Sequence, residues 1–313
     1  MLRSLYSGVS GMKSNQVKMD VIGNNIANVN TTAFKSSRVK FQETLSNTMS
    51  TALGPDTSGK GAKNPKQVGL GTTVSSIDTM TSDGVQQPTG REFDFAIERE
   101  GFFVVSSNIN AATGAPNTVS YTRDGSFYKD SDGNLVNSSG NKVLGYEVDI
   151  NGISKDLDAD GTTSEGDLRE LKIPTELVPA VAASAGPPPT TAIPAVTLET
   201  FNVDSSGLIT AIGSDQNSYK LGRIAIAKFT NQEGLTKEGA NTYGKTANSA
   251  EPMYGKAGEN SFGIINQGVL EVSNVDLANE FTEMIITSRA YQANSRSITT
   301  SDEMLQELLS LKR

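Results

Sequence analysis

Residues 2–26 read LRSLYSGVSGMKSNQVKMDVIGNNI, and in them Leu2, Leu5, Val9, Met12, Gln16, Met19, Gly23 and Ile26 recur at alternating intervals of three and four. That spacing places one residue of every half-heptad on a single helical stripe, interrupted by polar Gln16 and small Gly23. The far end of the chain repeats the pattern. Phe281, Met284, Ser288, Tyr291, Ser295, Ile298, Asp302, Leu305 and Leu309 keep the same alternation. A second apolar stripe (Ile285, Met304, Leu308, Leu311) runs beside it, and Ser273 with Asp276 reads as a capping box opening this helix. Two terminal helices are expected to pair as an antiparallel hairpin. One stripe per helix is then satisfied and the others are left for neighbouring subunits.

The first helix runs out in DVIGNNIANVNTTAFK, residues 20–35, which places Asn24, Asn25, Asn28 and Asn30 in its last turns and just beyond. Asparagine tolerates positive φ and bonds to nearby backbone, so the cluster is expected to end the helix and shape the chain that follows. The alternative is that one or two cap the helix while the rest face solvent.

Composition narrows the chemistry. The 313 residues contain no histidine and no cysteine, which excludes thiol nucleophiles, disulfides, histidine-based triads and thiolate or imidazole zinc sites. A formal net charge of −8 argues against nucleic acid as a partner. The opening MLRSLYSGVSGMKSNQ lacks the apolar run of a secretory signal, and no stretch approaches the roughly 18 apolar residues of a membrane span.

Between the helical ends the texture is β. Residues 46–66 are rich in Gly, Ser, Thr and Pro and read as an extended connection. From residue 67 onward come strand-like runs: QVGLGTTVSSIDTM, FDFAIEREGFFVVSS, FNVDSSGLITAI and YKLGRIAIAKF. Asp124-Gly125 and Asp132-Gly133 read as hairpin dipeptides, because a primed turn needs positive φ. Residues 174–194 hold six of the eleven prolines and read as an exposed polyproline excursion. Just before it, DLDADGTTSEGD places Asp156, Asp158, Asp160, Thr162, Ser164 and Asp167 at the ligand positions of a calcium loop. Asp rather than Glu at the last position and polar Thr163 at the eighth depart from that pattern. The competing reading is an acidic solvated turn.

Several segments together resemble the bacterial flagellar axial proteins, the hook and rod subunits. They are SLYSGVSGM, DVIGNNIANVNTTAFKSSRVKFQ, NPKQVGLGTTVSSIDT, the GFFVV and YTRDGSF blocks, LGRIAIAKFTNQEGL, GANTYGKTANSA and VLEVSNVDLANEFTEMIITSRAYQANSRSITTSDEMLQELL. Only about residues 151–196 fall outside the resemblance, and Arg99 stands where the family usually has glycine.

The resemblance implies an α+β fold. Residues 1–33 and 272–313 would form a coiled-coil inner domain, 34–72 an extended connector, 73–150 with 197–271 a β-rich outer domain, and 151–196 a small extra element. It implies a structural subunit of the flagellar hook, a flexible tube that transmits torque. A rigid distal-rod subunit on the same scaffold is the alternative. The partners implied are copies of itself, the distal rod, hook-cap and hook–filament junction proteins, and the flagellar type III export apparatus. The place implied is the bacterial flagellum, outside the cell after export, with no membrane insertion and no required cofactor; a structural calcium is a candidate from the Asp156–Asp167 spacing alone. The assembly surface would be Leu2, Leu5, Val9, Met12, Met19, Ile26, Phe281, Met284, Tyr291, Ile298, Leu305 and Leu309. Two readings of another class stand beside it: a secreted calcium-binding module, and a carboxylate hydrolase using Asp94, Glu98, Glu100 and Asp124. For the latter, paired acids on alternating strands are ordinarily solvated, so no reaction is expected.

Overall fold

The computed structural model describes residues 2–52, 54, 62–109, 116–148, 162–163, 168–178, 196–259 and 261–311. The chain divides into two compact units. Residues 1–29, 35–80 and 275–313 form one, and residues 30–34 with 81–274 form the other.

The first unit contains helix α1 (Leu2–Ala27) and helix α2 (Leu277–Ser310). Asp276 is the N-cap of α2 and accepts hydrogen bonds from the amides of Ala278 and Asn279 at 2.9 and 3.4 Å. The expected capping box at Ser273 is thus replaced by a single aspartate cap, since Asp276 precedes the first helical residue. The segment between the helices in this unit is not a lone extended connector. Strand β1 (Ser37–Glu43) pairs antiparallel with β4 (Thr72–Thr79), and β2 (Ser46–Ser50) pairs with β3 (Lys66–Gly69). Backbone pairing satisfies donors that an isolated extended chain would leave to solvent. Ser10 and Ser14 of α1 bond to the amide and carbonyl of Thr72, each at 3.3 Å, tying the ribbon to the helix.

The second unit is the β-rich body. Strand β5 (Gln86–Pro88) pairs with strand Val269–Glu271, and β6 (Phe95–Glu98) pairs with strand Ile264–Gln267. The larger sheet is antiparallel and centres on β7 (Phe102–Ile109), which pairs with β8 (Pro116–Thr122), with β11 (Lys142–Tyr146) and with strand Ile226–Lys228. A hairpin of β9 (Phe127–Lys129) and β10 (Leu135–Asn137) joins through β11. Beyond β11 the sheet continues through strands Ser218–Ile224, Leu208–Gly213 and Val196–Val203. The uninterrupted run Phe102-Phe103-Val104-Val105 follows from this position: Phe103 and Val105 join one buried cluster, Phe102 and Val104 another. A strand covered on both faces needs apolar residues at every position.

Two sequence expectations change here. Gly133 has positive φ, as its hairpin turn requires, but Gly125 does not. A Cβ on Gly125 would lie 1.7 Å from the Phe95 carbonyl oxygen, so close backbone approach selects this glycine. Within the expected insertion, Leu168, Leu171 and Ile173 are core residues, and strand Arg169–Glu170 pairs with β11. Those residues belong to the β body. The polyproline stretch 179–194 lies outside the described residues.

A buried ion pair organises the part of this unit where its chain segments begin and end. Arg123 and Glu271 are both almost fully buried and meet at 3.1 Å, and Arg123 also binds Asp83 at 3.0 Å. The second Glu271 oxygen accepts the Gly84 amide at 2.8 Å, and its backbone carbonyl accepts the Ala33 amide at 2.8 Å. Arg99 answers the question of the missing glycine. It keeps a left-handed backbone with φ 73°; Asp83 accepts its amide hydrogen bond at 3.0 Å, and its carbonyl accepts a bond from Arg123.

A side chain in that conformation costs about 1–2 kcal/mol, so Arg99→Gly should raise stability by roughly 1 kcal/mol in urea unfolding. Glu271→Ala, by stranding the Arg123 charge, should cost about 3–5 kcal/mol. The double variant Arg123→Met/Glu271→Leu should recover most of that loss.

Candidate functional site

α1 and α2 run antiparallel, as their contacts show. Ser4 Oγ lies 3.4 Å from Ser301 Oγ, Lys18 Nζ binds Glu283 Oε2 at 2.5 Å, and Asn25 Nδ2 binds Glu280 Oε1 at 3.0 Å. Between them α2 passes so close that a Cβ on Gly8 would meet Ile298 at 3.1 Å, and one on Gly11 would meet the Asn294 amide at 2.7 Å. The touching residues of α1 are thus 4, 8, 11, 18 and 25. They keep the three–four alternation but precede the apolar stripe by one residue, which turns the contact line by about 100°. On α2 the line through Glu280, Glu283, Asn294 and Ser301, with buried Thr287, is displaced in the same way, and Ile298 of the apolar stripe joins it over Gly8.

Small and polar residues, joined by Ile298, make the closest contacts between the two helices, and part of the apolar stripe stays exposed. Of the residues expected at the assembly surface, Val9, Phe281, Tyr291 and Leu309 are exposed, Phe281 by 50% and Leu309 by 69%. Leu5, Met12, Met19, Ile26, Met284, Ile298 and Leu305 are half-buried. Leu2 opens α1, and its side chain lies outside the described residues. The second stripe is open too: Ile285 is 62% exposed and Leu311 82%. The contact line was visible in the sequence as a second heptad set, but its serines, glycines and lysine carry no apolar signal.

The asparagine cluster separates into roles. Asn25 is buried, and its side-chain amide pairs with the backbone of Ser37 in both directions: Nδ2 donates to the Ser37 carbonyl at 2.9 Å and Oδ1 accepts the Ser37 amide at 3.0 Å. Its other N–H goes to Glu280, so one side chain joins the end of α1, the start of β1 and the first turn of α2. Asn28 Nδ2 bonds to Asn24 Oδ1 at 2.6 Å and to the Asn24 carbonyl at 2.9 Å, closing the last turn of α1. Asn30 is exposed. Burial pushes the Glu280 carboxyl above its ordinary 4.5, against the opposing hydrogen bond from Asn25. A carboxyl that holds its proton more tightly when folded stabilises the fold at acid pH. That contribution is lost as pH rises from 4.5 through the raised value.

The candidate acids of a hydrolase are each held by their own partners, although the Asp94 charge reaches Asp124. Asp94 is buried on Thr89, which donates at 2.6 Å, and on Arg91 at 3.3 Å, while Glu100 pairs with Lys228 at 2.7 Å. Asp124 accepts the Ser126 amide at 3.1 Å, its carboxyl pushed up by burial, and Glu98 is exposed on β6. Of the calcium loop, Asp156, Asp158, Asp160, Ser164 and Asp167 lie outside the described residues. Thr162 sits in a short strand pairing with Gly255. Among the described residues no group of three or more acidic side chains is arranged to hold a metal, and no described helix is long and apolar enough to cross a membrane.

Three family models match the chain: "Flagella basal body rod protein" over residues 5–35, "Flagellar hook protein FlgE/F/G D1 domain" over 96–211, and "Flagellar basal body rod FlgEFG protein C-terminal" over 266–311. The flagellar basal-body rod protein FlgG of Bacillus subtilis is 40% identical over 316 aligned residues, covering all of both chains. The flagellar hook protein FlgE of Borreliella burgdorferi is 30% identical over 450, again covering both. The hook protein FlgE of Helicobacter mustelae is 46% identical over 149 residues, 48% of this chain and 32% of that one. A solved structure of the Helicobacter pylori hook protein FlgE2 aligns with 59% of this chain, and all of its own, at a TM-score of 0.40 and 12% identity, a likeness that carries no weight for the fold.

Asn25→Ala should cost about 1–3 kcal/mol in thermal unfolding, since it removes both hydrogen bonds to the half-buried Ser37 backbone. Asn25→Asp should cost more at neutral pH, because a carboxylate then faces the Ser37 carbonyl and Glu280. Its excess loss should shrink as pH falls and the new carboxyl protonates.

Proposed function

We propose, since the chain belongs to the bacterial flagellar hook and rod protein family, that it polymerises with copies of itself into the tube of the flagellar hook. Proteins of this family are structural components of the flagellum. The observation that carries the reading is the set of large apolar side chains that the paired helices leave exposed. Tyr6 is exposed by 71%, Ile286 by 55% and Leu308 by 51%, on a unit whose own pairing line is small and polar. Covering such side chains contributes about 1.5–3 kcal/mol each, repeated in every subunit. A surface that neighbours cover by a repeated, non-self-complementary contact builds an open helical filament. In that polymer the terminal helices act as a coiled-coil inner wall, and the β body stands as the outer part. A hook bends as it turns, which fits outer surfaces that slide rather than lock. Nothing in this reading calls for a reaction. The distal rod, the cap, the hook–filament junction and the export apparatus are its proposed partners.

A second reading, the rigid distal-rod subunit, is favoured by the 40% identity to a rod protein over the whole of both chains. The hook reading leans on the stronger local identity to a hook protein, 46% over 149 residues. Electron microscopy of the purified chain at high concentration separates them: curved tubes are expected for a hook subunit and straight ones for a rod subunit. Phe281→Asp should abolish tubes while leaving the circular dichroism of the β body unchanged. Intact tubes from that variant would overturn the polymer reading.

A further inference from the structure

On the sides opposite their mutual contact line, α1 and α2 each carry another set of residues at intervals of three and four. On α1 these are Val9, Lys13, Gln16, Asp20, Gly23 and Ala27; on α2 they are Arg289, Gln292, Arg296, Thr299, Glu303 and Glu307. All are exposed except half-buried Gly23. Lys13, Asp20, Arg296 and Glu303 have no ion-pair partner among the described residues. Gly23 differs from Gly8 and Gly11. A Cβ on it would meet nothing within 4 Å, so no contact inside the subunit accounts for a helix-weakening glycine there.

The charges on the two faces match in one register. Lys13 precedes Asp20 by one heptad and Arg296 precedes Glu303 by one heptad, so antiparallel helices bring Glu303 to Lys13 and Arg296 to Asp20 together. Sliding by a heptad one way sets Lys13 against Arg296, and the other way sets Asp20 against Glu303. The remaining charges do not oppose the match. Arg289, bound to Gln292 at 3.2 Å, comes level with Ala27, and Glu307 with Val9. Arg3 and Asp302 lie about 100° or more around their helices from these faces. The aligned stretch stops at Leu311, before Lys312 and Arg313. In this register Gly23 comes level with Gln292 and Ala293. Tyr6, exposed by 71%, comes level with Leu311, exposed by 82%.

We infer that the outer face of α2 in one copy packs antiparallel on the outer face of α1 in a second copy, with Glu303 meeting Lys13, Arg296 meeting Asp20, and Tyr6 covering Leu311. The inference rests on the polymer reading and deepens it by naming one contact. A second copy is the occupant because both halves of the charge pattern belong to this chain. One copy cannot make these pairs within itself. Ser301 stands at Ser4 of its own α1, whereas here it comes level with Asn15 of the next copy, a shift of eleven residues or about 16 Å along the axis. The two faces are different surfaces, so each copy offers one to either neighbour and the contact propagates without closing. Gly23 lets the second helix approach, as Gly8 and Gly11 do inside the pair.

Charge exchange tests the register. Lys13→Glu and Glu303→Lys should each raise the concentration needed for tube growth about fivefold, and one chain carrying both should return to within about twofold of the unmodified chain. Unchanged thresholds for the single variants, or a double variant no better than either, would overturn the contact. Geometry is tested by crosslinking, which the absence of cysteine keeps free of background. Tubes of a chain carrying Asp20→Cys and Arg296→Cys, treated with a short bismaleimide, should give a ladder of oligomers. Within one copy these positions lie on opposite outer faces and about 16 Å apart along the axis, beyond such a linker. Tubes that give only monomers after this treatment would overturn the contact and leave the polymer reading standing. Failure of the unmodified chain to form tubes under any condition would overturn both. Gly23→Leu should keep the helical circular dichroism of the monomer and block tubes; tubes formed at the unmodified threshold would also overturn the contact.

Discussion

The close approach of α1 and α2 along a line of small and polar side chains governs the rest of the molecule. Gly8 and Gly11 let the second helix come so near that a methyl group would intrude, and Ser4, Lys18 and Asn25 finish the line with hydrogen bonds and an ion pair. A glycine inside a helix costs about 1 kcal/mol relative to alanine. Here that cost is offset by the close seating of the Ile298 and Asn294 side chains over the two glycines, and large apolar residues elsewhere on both helices stay exposed. A subunit that spent its large apolar residues on its own hairpin would have little left to offer neighbours. This one keeps Phe281, Ile285 and Leu309 in reserve.

The β-rich body solves a different problem. Its chain enters and leaves at residues 30–34, 81–85 and 271–274, segments that belong to no large strand pairing. Arg123 and Glu271 fix these segments from inside. The guanidinium binds Asp83 and the Arg99 carbonyl, and the carboxylate holds the Gly84 amide. Ala33, in a left-handed conformation with φ 55°, donates to the Glu271 backbone. Strain at Ala33 and Arg99 persists because the surrounding network determines both backbones. Replacing both ions by apolar residues is tolerable in such a site, whereas removing one alone is not.

Asn25 shows why the amide-rich run follows the first helix. A strand edge and a helix terminus each leave unsatisfied backbone groups, and a primary amide offers a donor and an acceptor in the same arrangement as a peptide bond. Asn25 therefore acts as one more residue of strand pairing for Ser37 while its spare N–H reaches α2. Its neighbours Asn24 and Asn28 close the helix locally, and no reaction is needed to explain any of them.

The two terminal helices, the β character of what lies between them, the family and the lack of histidine and cysteine chemistry were all legible in the residues. Periodicity, turn residues and composition are local properties, written within a few residues of where they act. The facing of the helices was not. Two heptad stripes lie one residue apart on α1, and hydrophobicity marked only the apolar one, because a contact made by glycine and serine leaves no hydrophobic trace. The same limit applied to Gly125, which is held by a carbonyl thirty residues away, and to Leu168, Leu171 and Ile173, whose place in the core depends on β11. The sequence by itself determined which elements form and which chemistry is out of reach. Which faces they turn to one another, and so which remain for a neighbour, only the tertiary structure decided, because that choice is made by distances between residues remote in the chain.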